Sequence, residues 1–223
     1  MNNSNEIGSS LPEKEESPKQ EKIREIMKRS KQFIVICGPS GSGKTMAIKH
    51  LVDKYGFIEP PFLTTRKLRP GEKEIGGAVL DEEDFSKKET SGEIFLPARN
   101  YGNAYGYDLD VIFNSAIEGN NIVVEAPSVN LTTDVAHFLP DSTVIGMLPL
   151  NTKEIEAQLT ERGLNSDSDR KARLSSVETE KENILRASET MSISQITPTH
   201  GVPEDTLTQI DTLLEQKRFK AKE

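Results

Sequence analysis

The chain has 223 residues, of which 34% are hydrophobic and 29% charged, so it is long enough to bury the core of one domain. Its apolar runs fall far short of the roughly 20 residues that span a bilayer, and its first residues lack the pattern of a signal peptide. Together with the single cysteine, these features predict a cytoplasmic protein with no membrane partner. The formal net charge of -8 argues against nucleic acid as a partner.

Two segments precede the first apolar run. Residues 1–18 are rich in Asn, Ser, Glu, Lys and Pro and contain few large apolar side chains, which predicts a disordered tail. In residues 19–32, Ile23, Ile26 and Met27 share one face of a helix. We therefore expect a leader helix that docks on the core.

Strands and helices are predicted to alternate after this segment. The run FIVIC, residues 33–37, is typical of a buried strand and is followed by a glycine-rich turn and a helical pattern. Further strands are expected at residues 121–126 and 142–148, each followed by helix-like sequence. Such alternation predicts an α/β fold in which helices flank a parallel sheet.

One segment breaks the alternation and another is unusually polar. Residues 60–107 are rich in Gly, Pro and Tyr, which predicts an inserted substrate subdomain. Residues 161–174 are polar and predict a lid that leads into a long charged helix. A strand at 191–196 and a helix from about residue 204 then close the core, which comprises residues 33–59, 108–160 and 175–223.

The sequence GPSGSGKT matches G-x-x-x-x-G-K-[ST] and lies where a P-loop must lie, after a strand and at the start of a helix. Glycines allow backbone N–H groups to surround phosphate oxygens, and the helix N-terminus adds partial positive charge. Lys44 would reach the outer phosphates, and the Thr45 hydroxyl would bind Mg²⁺. The alternative is a glycine-rich turn that merely connects strand and helix. The residues predicted to bind phosphate are Gly38, Pro39, Ser40, Gly41, Ser42, Gly43, Lys44 and Thr45.

From residue 33 onward the chain resembles the guanylate kinase family, whose P-loop fold has a core, an acceptor subdomain and a lid. The P-loop, TTRKLRPGE at residues 64–72 and NAYG at residues 103–106 are similar to motifs of that family. The resemblance implies ATP and Mg²⁺ as cofactors. It also implies that Arg66, Arg69 and Tyr105 hold the acceptor phosphate, which suits the planar guanidinium group.

The resemblance extends to the lid and to one acidic residue. RG at Arg162, followed by RL at Arg173, resembles the spacing of lid arginines that close over the triphosphate, with Arg170 as an alternative to Arg173. Glu125 stands where the family has the first aspartate of a D-x-D strand end. It would support magnesium through water or orient an arginine, unless it only caps nearby N–H groups.

The departures from the family concern guanine recognition. The family has a serine at the position of Phe62 and a glutamate at the position of Leu96. It has a serine or threonine at the position of Tyr107 and an aspartate at the position of Pro127. A tyrosine of the family is also missing from GGAVL at residues 76–80. A buried pocket without acceptors would leave the guanine donors unpaired at about 1 to 3 kcal/mol each. We therefore expect altered base selectivity.

These features predict a kinase that transfers a phosphoryl group from ATP to a small phosphorylated acceptor, as a monomer or homodimer. GMP is the family default. An alternative is a kinase like the ribose bisphosphate phosphokinases, which share the fold and whose acceptor has no base. A second alternative is a non-catalytic module like the guanylate kinase domains of membrane-associated scaffolds, which bind phosphorylated peptides. The presence of Lys44 and Thr45 in the P-loop argues against this module, because such modules typically lose the P-loop residues that bind nucleotide.

Overall fold

The computed structural model describes residues 17–67, 77–149, 151–161, 167–199 and 201–219. The predicted site residues Arg69 and Arg162 lie outside this range, as does most of the predicted tail. No helix in the described part of the chain is long and apolar enough to cross a membrane.

Eight α-helices occur within the described residues. They are α1 (Pro18–Arg29), α2 (Lys44–Tyr55), α3 (Glu82–Thr90), α4 (Leu109–Ile117), α5 (Ala136–Phe138), α6 (Thr152–Glu161), α7 (Asp167–Ala187) and α8 (Pro203–Gln216). A 3-10 turn at Ser128–Asn130 and a π-helical turn at Leu131–Val135 precede α5. Part of the predicted lid, residues 167–174, forms the beginning of α7.

The central sheet contains four parallel strands in the order β6-β1-β7-β8. The strands are β1 (Phe33–Cys37), β6 (Ile122–Glu125), β7 (Thr143–Met147) and β8 (Ile193–Ile196). All five residues of β1 are buried, as expected of a parallel strand that is covered by helices on both faces. The predicted α/β fold with a parallel sheet is confirmed.

A second four-stranded sheet is formed by the segment between α2 and α4, in the order β3-β2-β5-β4. Its strands are β2 (Phe62–Thr64), β3 (Gly77–Val79), β4 (Ile94–Asn100) and β5 (Asn103–Asp108). Strand β5 pairs antiparallel with both β2 and β4, whereas β2 and β3 are parallel. This sheet contains Thr64, the first residue of the sequence motif at 64–72, and the whole of NAYG at residues 103–106, whereas residues 68–72 lie outside the described part of the chain.

One hydrophobic core joins the two sheets. It contains Phe33 and Val124 from the central sheet and Phe95 and Tyr107 from the second sheet. Phe33 and Phe95 make an edge-to-face contact with ring centroids 6.1 Å apart. The second sheet is therefore packed onto the central sheet through shared buried side chains.

Helix α1 contributes to the same core. Ile23 and Ile26 are buried in it, and truncating either to Ala would cost about 2 to 5 kcal/mol. The helix begins at Pro18, one residue before the predicted start. The reason is a capping box, in which Ser17 and Gln20 each accept a hydrogen bond from the backbone N–H of the other, followed by Pro at the first helical position.

Candidate active site

The glycine-rich loop connects β1 to α2 at the carboxyl end of the central sheet, where α/β folds bind ligands. A Cβ atom at Gly38 would lie 2.6 Å from the carbonyl oxygen of Met147 and 2.7 Å from Oγ of Ser42. Gly41 and Gly43 both have φ of 89°, a region that side chains disfavour. The loop therefore requires glycine at these positions to adopt its compact path.

The N-terminus of α2 faces into this loop. Its N-cap, Gly43, has no side chain to accept a hydrogen bond from the first turn, and the first turn contains no acidic residue. The first N–H groups of a helix have no intrahelical partner, and the helix dipole places positive potential there. The loop and helix together provide backbone donors for an anion such as a phosphate group.

The ammonium group of Lys44 lies inside the loop. Its Nζ atom donates hydrogen bonds to the carbonyl oxygens of Gly38, at 2.7 Å, and Pro39, at 3.0 Å. The Oε1 atom of Glu125 lies 3.5 Å from Nζ, and only 11% of the lysine side chain is exposed. The cation is thus kept beside the loop amides, where it would meet a phosphate, and is not paired on the outer surface.

Oxygen ligands suitable for Mg²⁺ lie beside the lysine. Thr45 is exposed at the second position of α2, and Glu125 ends the neighbouring strand β6 in register with Ile36. Hydroxyl and carboxylate oxygens match the preference of Mg²⁺. Among the described residues no group of three or more His, Cys, Asp or Glu could hold a metal ion. Thr45 would therefore hold Mg²⁺ mainly together with nucleotide phosphates, so the residues present fit the ion.

Helix α7 brings an arginine to the loop. The Nη1 atom of Arg173 donates a hydrogen bond to Oγ of Ser40 at 2.5 Å, and its guanidinium carbon lies 4.7 Å from the ring centroid of Tyr101. The contact with Ser40 places Arg173, one of the lid arginines that the family resemblance suggests, at the P-loop. The second predicted lid arginine, Arg162, lies outside the described residues.

Residues of the two sequence motifs at 64–72 and 103–106 meet at one end of the second sheet, as far as the structure describes them. Thr64 lies opposite Tyr105 in the antiparallel pair of β2 and β5, and Arg66 follows two residues later. The buried Thr64 hydroxyl donates to the carbonyl of Ala104 at 2.8 Å and accepts from the N–H of Arg66 at 3.0 Å. The threonine thus fixes the backbone from which Arg66 projects. Arg69 lies outside the described residues.

The positions that depart from guanine recognition are largely packed into the core. Leu96 and Tyr107 are 4% and 5% exposed, and Phe62 packs against the same core. Phe62 and Phe95 both lie opposite Tyr107 in the sheet. Pro127 lies two residues after the end of β6 and directly precedes the 3-10 turn. These side chains contribute apolar surface where the family has polar groups.

The hydroxyl of Tyr107 is bonded to the backbone at the end of β6. It accepts from the N–H of Glu125 at 2.8 Å and donates to the carbonyl of the same residue at 3.3 Å. Burial of the ring, and secondarily the charge of Glu125, raise the pKa of Tyr107. The hydroxyl is therefore committed to the backbone beside the P-loop lysine and is a neutral group at physiological pH.

Leu96 has an unusual backbone. Its φ is 49°, a left-handed conformation that costs a residue with a side chain roughly 1 to 2 kcal/mol. It lies where the pairing of β4 and β5 shifts register, between Phe95 and Ala98. Strain of this kind persists where surrounding contacts fix it, and it often occurs at functional sites.

Two residues near the site were not found from the sequence. Although much of Glu59 is exposed, desolvation of its carboxylate raises its pKa, and the charge of Glu125 adds to the rise. Tyr101 lies at the tip of the β4–β5 hairpin and packs against Arg173. In the sequence, Tyr101 precedes Gly-Asn, a dipeptide that indicates a turn. That pattern predicts the hairpin but not a contact between Tyr101 and a distant helix.

Comparison with known proteins identifies relatives over much of the chain. The guanylate kinase of Prochlorococcus marinus subsp. pastoris is 34% identical over 151 residues, which cover 67% of this chain and 82% of that protein. The guanylate kinase of Alcanivorax borkumensis is 31% identical over 137 residues, which cover 60% of this chain but only 65% of that protein. No protein-family profile matches the chain.

A solved structure has the same fold. The guanylate kinase of Anaplasma phagocytophilum superposes with a TM-score of 0.61 at 22% identity, and the superposition covers 85% of this chain and 87% of that one. In this chain the P-loop lysine lies inside its loop, and Thr64 and Tyr105 lie on a second sheet that shares a hydrophobic core with the central sheet. With the Prochlorococcus relative matched over 82% of its length, the chain belongs to the guanylate kinase family.

Proposed function

We propose that the protein transfers a phosphoryl group from ATP to a small phosphorylated acceptor. The observation that carries the proposal is the Lys44 ammonium inside the P-loop, with Arg173 hydrogen-bonded to Ser40 of the same loop. Phosphoryl transfer depends on positioning and on neutralising negative charge, and this arrangement supplies both. The names of the relatives support the same reaction class.

In the proposed mechanism the loop amides and the N-terminus of α2 bind the phosphates of ATP, and Lys44 neutralises the outer ones. Bound Mg²⁺, held by Thr45, would neutralise further phosphate charge. Arg173 approaches from α7, and Arg162 is expected to join it when the lid closes. Closure would exclude water, whose attack would waste ATP.

On the acceptor side, Arg66, Arg69 and Tyr105 are proposed to hold the acceptor phosphate. The two guanidinium groups can each present paired donors to phosphate oxygens. The Thr64 hydroxyl supports this role because it fixes the backbone of Arg66. Glu125, 3.5 Å from the P-loop lysine, is proposed to orient the ammonium group or to support magnesium through water.

The proposal includes altered base selectivity. Two of the replaced positions, Leu96 and Tyr107, are buried. An apolar side chain stands where the family has a carboxylate, and a hydroxyl that is bonded to the backbone stands where the family has a serine or threonine. Guanine N1–H and N2–H would be left without acceptors, at about 1 to 3 kcal/mol each. An acceptor with phosphate and sugar but no base, as in the ribose bisphosphate phosphokinases, meets no such penalty.

An ATP-consumption assay with a panel of acceptors tests the proposal. The panel contains GMP, the other nucleoside monophosphates and ribose phosphates, each with ATP and Mg²⁺. We expect turnover with a ribose phosphate and little with GMP. Efficient use of GMP would overturn the altered selectivity but leave the kinase assignment intact, whereas no turnover with any acceptor would contradict catalysis on these substrates.

ATP binding separates the kinase from a phosphopeptide-binding module. Calorimetry with ATP and Mg²⁺ should give saturable binding, because the loop retains its lysine and backbone donors. A module that only binds phosphorylated peptides would show none.

A cytoplasmic location and a monomeric or homodimeric state are parts of the proposal that rest on composition and family resemblance.

A further inference from the structure

The tip of the β4–β5 hairpin has a strained tyrosine. Asn100 pairs with Asn103, so Tyr101 and Gly102 form a two-residue connection, and their φ values are 51° and 73°. Two positive φ values fit the tight turn that joins antiparallel strands. Asn and Gly are the usual residues there, whereas tyrosine is strained in this conformation. The turn therefore holds a large aromatic side chain where a small residue would fit better.

The hydroxyl of Tyr101 is bonded to helix α7. It lies 2.6 Å from Oγ of Ser176 and donates to Oε1 of Glu180 at 2.9 Å. The Ser176 hydroxyl lies 2.9 Å from the carbonyl oxygen of Arg173 and 3.0 Å from Oε1 of Glu180, and its single proton can be donated to either acceptor. Residues three and four apart share a face of a helix, so the tyrosine contacts one continuous face of α7.

The ring of Tyr101 contacts the arginine that reaches the donor loop. The guanidinium carbon of Arg173 lies 4.7 Å from the ring centroid, within the range of a cation–π interaction. On its other side Nη1 donates to Ser40 of the P-loop at 2.5 Å. Its Nε atom is buried without a hydrogen-bond partner among the described residues. The guanidinium group is thus confined between the acceptor-side hairpin and the donor loop.

We propose that Tyr101 is a positioning residue that holds Arg173 against the donor loop and so links the acceptor-side sheet to the ATP site. The inference rests on the proposed function, because it assigns Arg173 a role in binding the phosphates of ATP. Two interactions connect Tyr101 to helix α7 and Arg173. The hydroxyl fixes the hairpin to α7, and the ring fixes the direction of the guanidinium group.

The two interactions can be separated by substitution. Tyr101→Phe keeps the ring and removes the hydroxyl, whereas Tyr101→Leu removes both. Tyr55→Phe is the matched control, because its hydroxyl donates to Asp211 at 2.8 Å, on a different part of the protein. Arg173→Ala and the double variant Tyr101→Leu with Arg173→Ala complete a double-mutant cycle.

Calorimetry with a non-hydrolysable ATP analogue and Mg²⁺ measures the effect without needing the acceptor. We expect Arg173→Ala to weaken binding about tenfold, since a charge-assisted contact is lost. Tyr101→Leu should weaken it by a similar factor and Tyr101→Phe by about threefold. The double variant should bind as Arg173→Ala does, because the tyrosine acts only through the arginine. Tyr55→Phe should bind like the unaltered protein.

The outcomes distinguish this inference from the proposed function. If the unaltered protein does not bind the analogue, the proposed function fails. If it binds and Tyr101→Leu binds equally well, or if the two losses add in the double variant, the link through Tyr101 is wrong. A merely structural tyrosine would lower the melting temperature without this non-additivity. Should Tyr101→Leu fail to fold, the same cycle with Tyr101→Phe decides the question.

Discussion

The donor loop and the second sheet retain their family features to different degrees. The loop keeps the glycines, the lysine and the threonine of its motif, and its lysine is oriented into the loop. The second sheet carries Arg66 and Tyr105, which are proposed to bind the acceptor phosphate, but it has Phe62, Leu96 and Tyr107 at positions where the family resemblance implies guanine-binding groups. A phosphate group is common to many acceptors, whereas a base is not. The comparison shows a complete P-loop motif beside a sheet in which the residues expected for guanine are replaced, and this difference is the basis of the proposed change in acceptor.

The strongest test of the donor side is Lys44→Ala. Removing the ammonium group from a loop that lies beside the transferred phosphate should lower turnover by about a thousandfold or more. The fold should persist, because only the outer end of the side chain contacts loop carbonyls. Turnover is measured by ATP consumption and folding by circular dichroism. Lys49→Ala, on the exposed face of the same helix and paired with Asp53, is the control. Unchanged turnover would contradict the assignment of the P-loop and Lys44 as the ATP-binding site.

The acceptor side is tested by Arg66→Ala. Loss of one guanidinium group from the acceptor phosphate should raise the acceptor KM by about ten- to a hundredfold and leave ATP affinity unchanged. Steady-state kinetics and ATP calorimetry measure the two quantities. Lys67→Ala, at the exposed neighbouring position, should change neither. A variant that weakened ATP alone would show that the second sheet does not bind the acceptor.

The contribution of the Tyr107 hydroxyl to the stability of the second sheet is tested by Tyr107→Phe. The change removes the acceptor of the Glu125 N–H and should lower the free energy of unfolding by about 1 to 3 kcal/mol. Urea unfolding measures the difference. Tyr55→Phe should cost less, because its hydroxyl donates to Asp211, whose side chain is 22% exposed, so that water can replace the lost donor. Equal losses in the two variants would mean that the Tyr107 hydroxyl has no special structural role.

A smaller effect is expected at alkaline pH. Burial raises the pKa of Tyr101 to about 12 and raises that of Tyr107 further, whereas unfolded tyrosine ionises near pH 10. The folded state then binds more protons than the unfolded state, so stability falls as pH rises above about 10, by up to ~1.4 kcal/mol per pH unit for each tyrosine. Urea unfolding at pH 9 to 11 should show a shallower fall in Tyr107→Phe. An identical slope in both proteins would contradict the contribution of Tyr107.

The elements around the P-loop could be predicted from sequence because their signals are local. The apolar run at residues 33–37, the glycine-rich turn and the helical spacing that follows specify β1, the loop and α2. The start of α1 was missed by one residue because the Ser17 and Gln20 capping box was not used. Local patterns of this kind extend only a few residues, which is why they are reliable for elements and not for contacts.

The candidate site was only partly predictable for the same reason. Lys44 and Arg173 came from motif spacing, and the structure brings both to the loop. The contacts of Tyr101 with α7 and of Tyr107 with Glu125 join residues far apart in the chain. Neither periodicity nor composition carries information on such pairs. The packing of Leu96 into the core likewise depends on how the second sheet lies against the first.

The shared core described above limits how acceptor choice can change. Leu96 and Tyr107, which stand at positions where the family resemblance implies guanine-binding groups, are buried in one core with Phe33 and Val124. The polar side chains of the family could not be placed at these two positions without cost. A carboxylate in place of Leu96 would be buried in an apolar core, and a smaller side chain in place of Tyr107 would leave a void, so both exchanges would need compensating mutations among their neighbours.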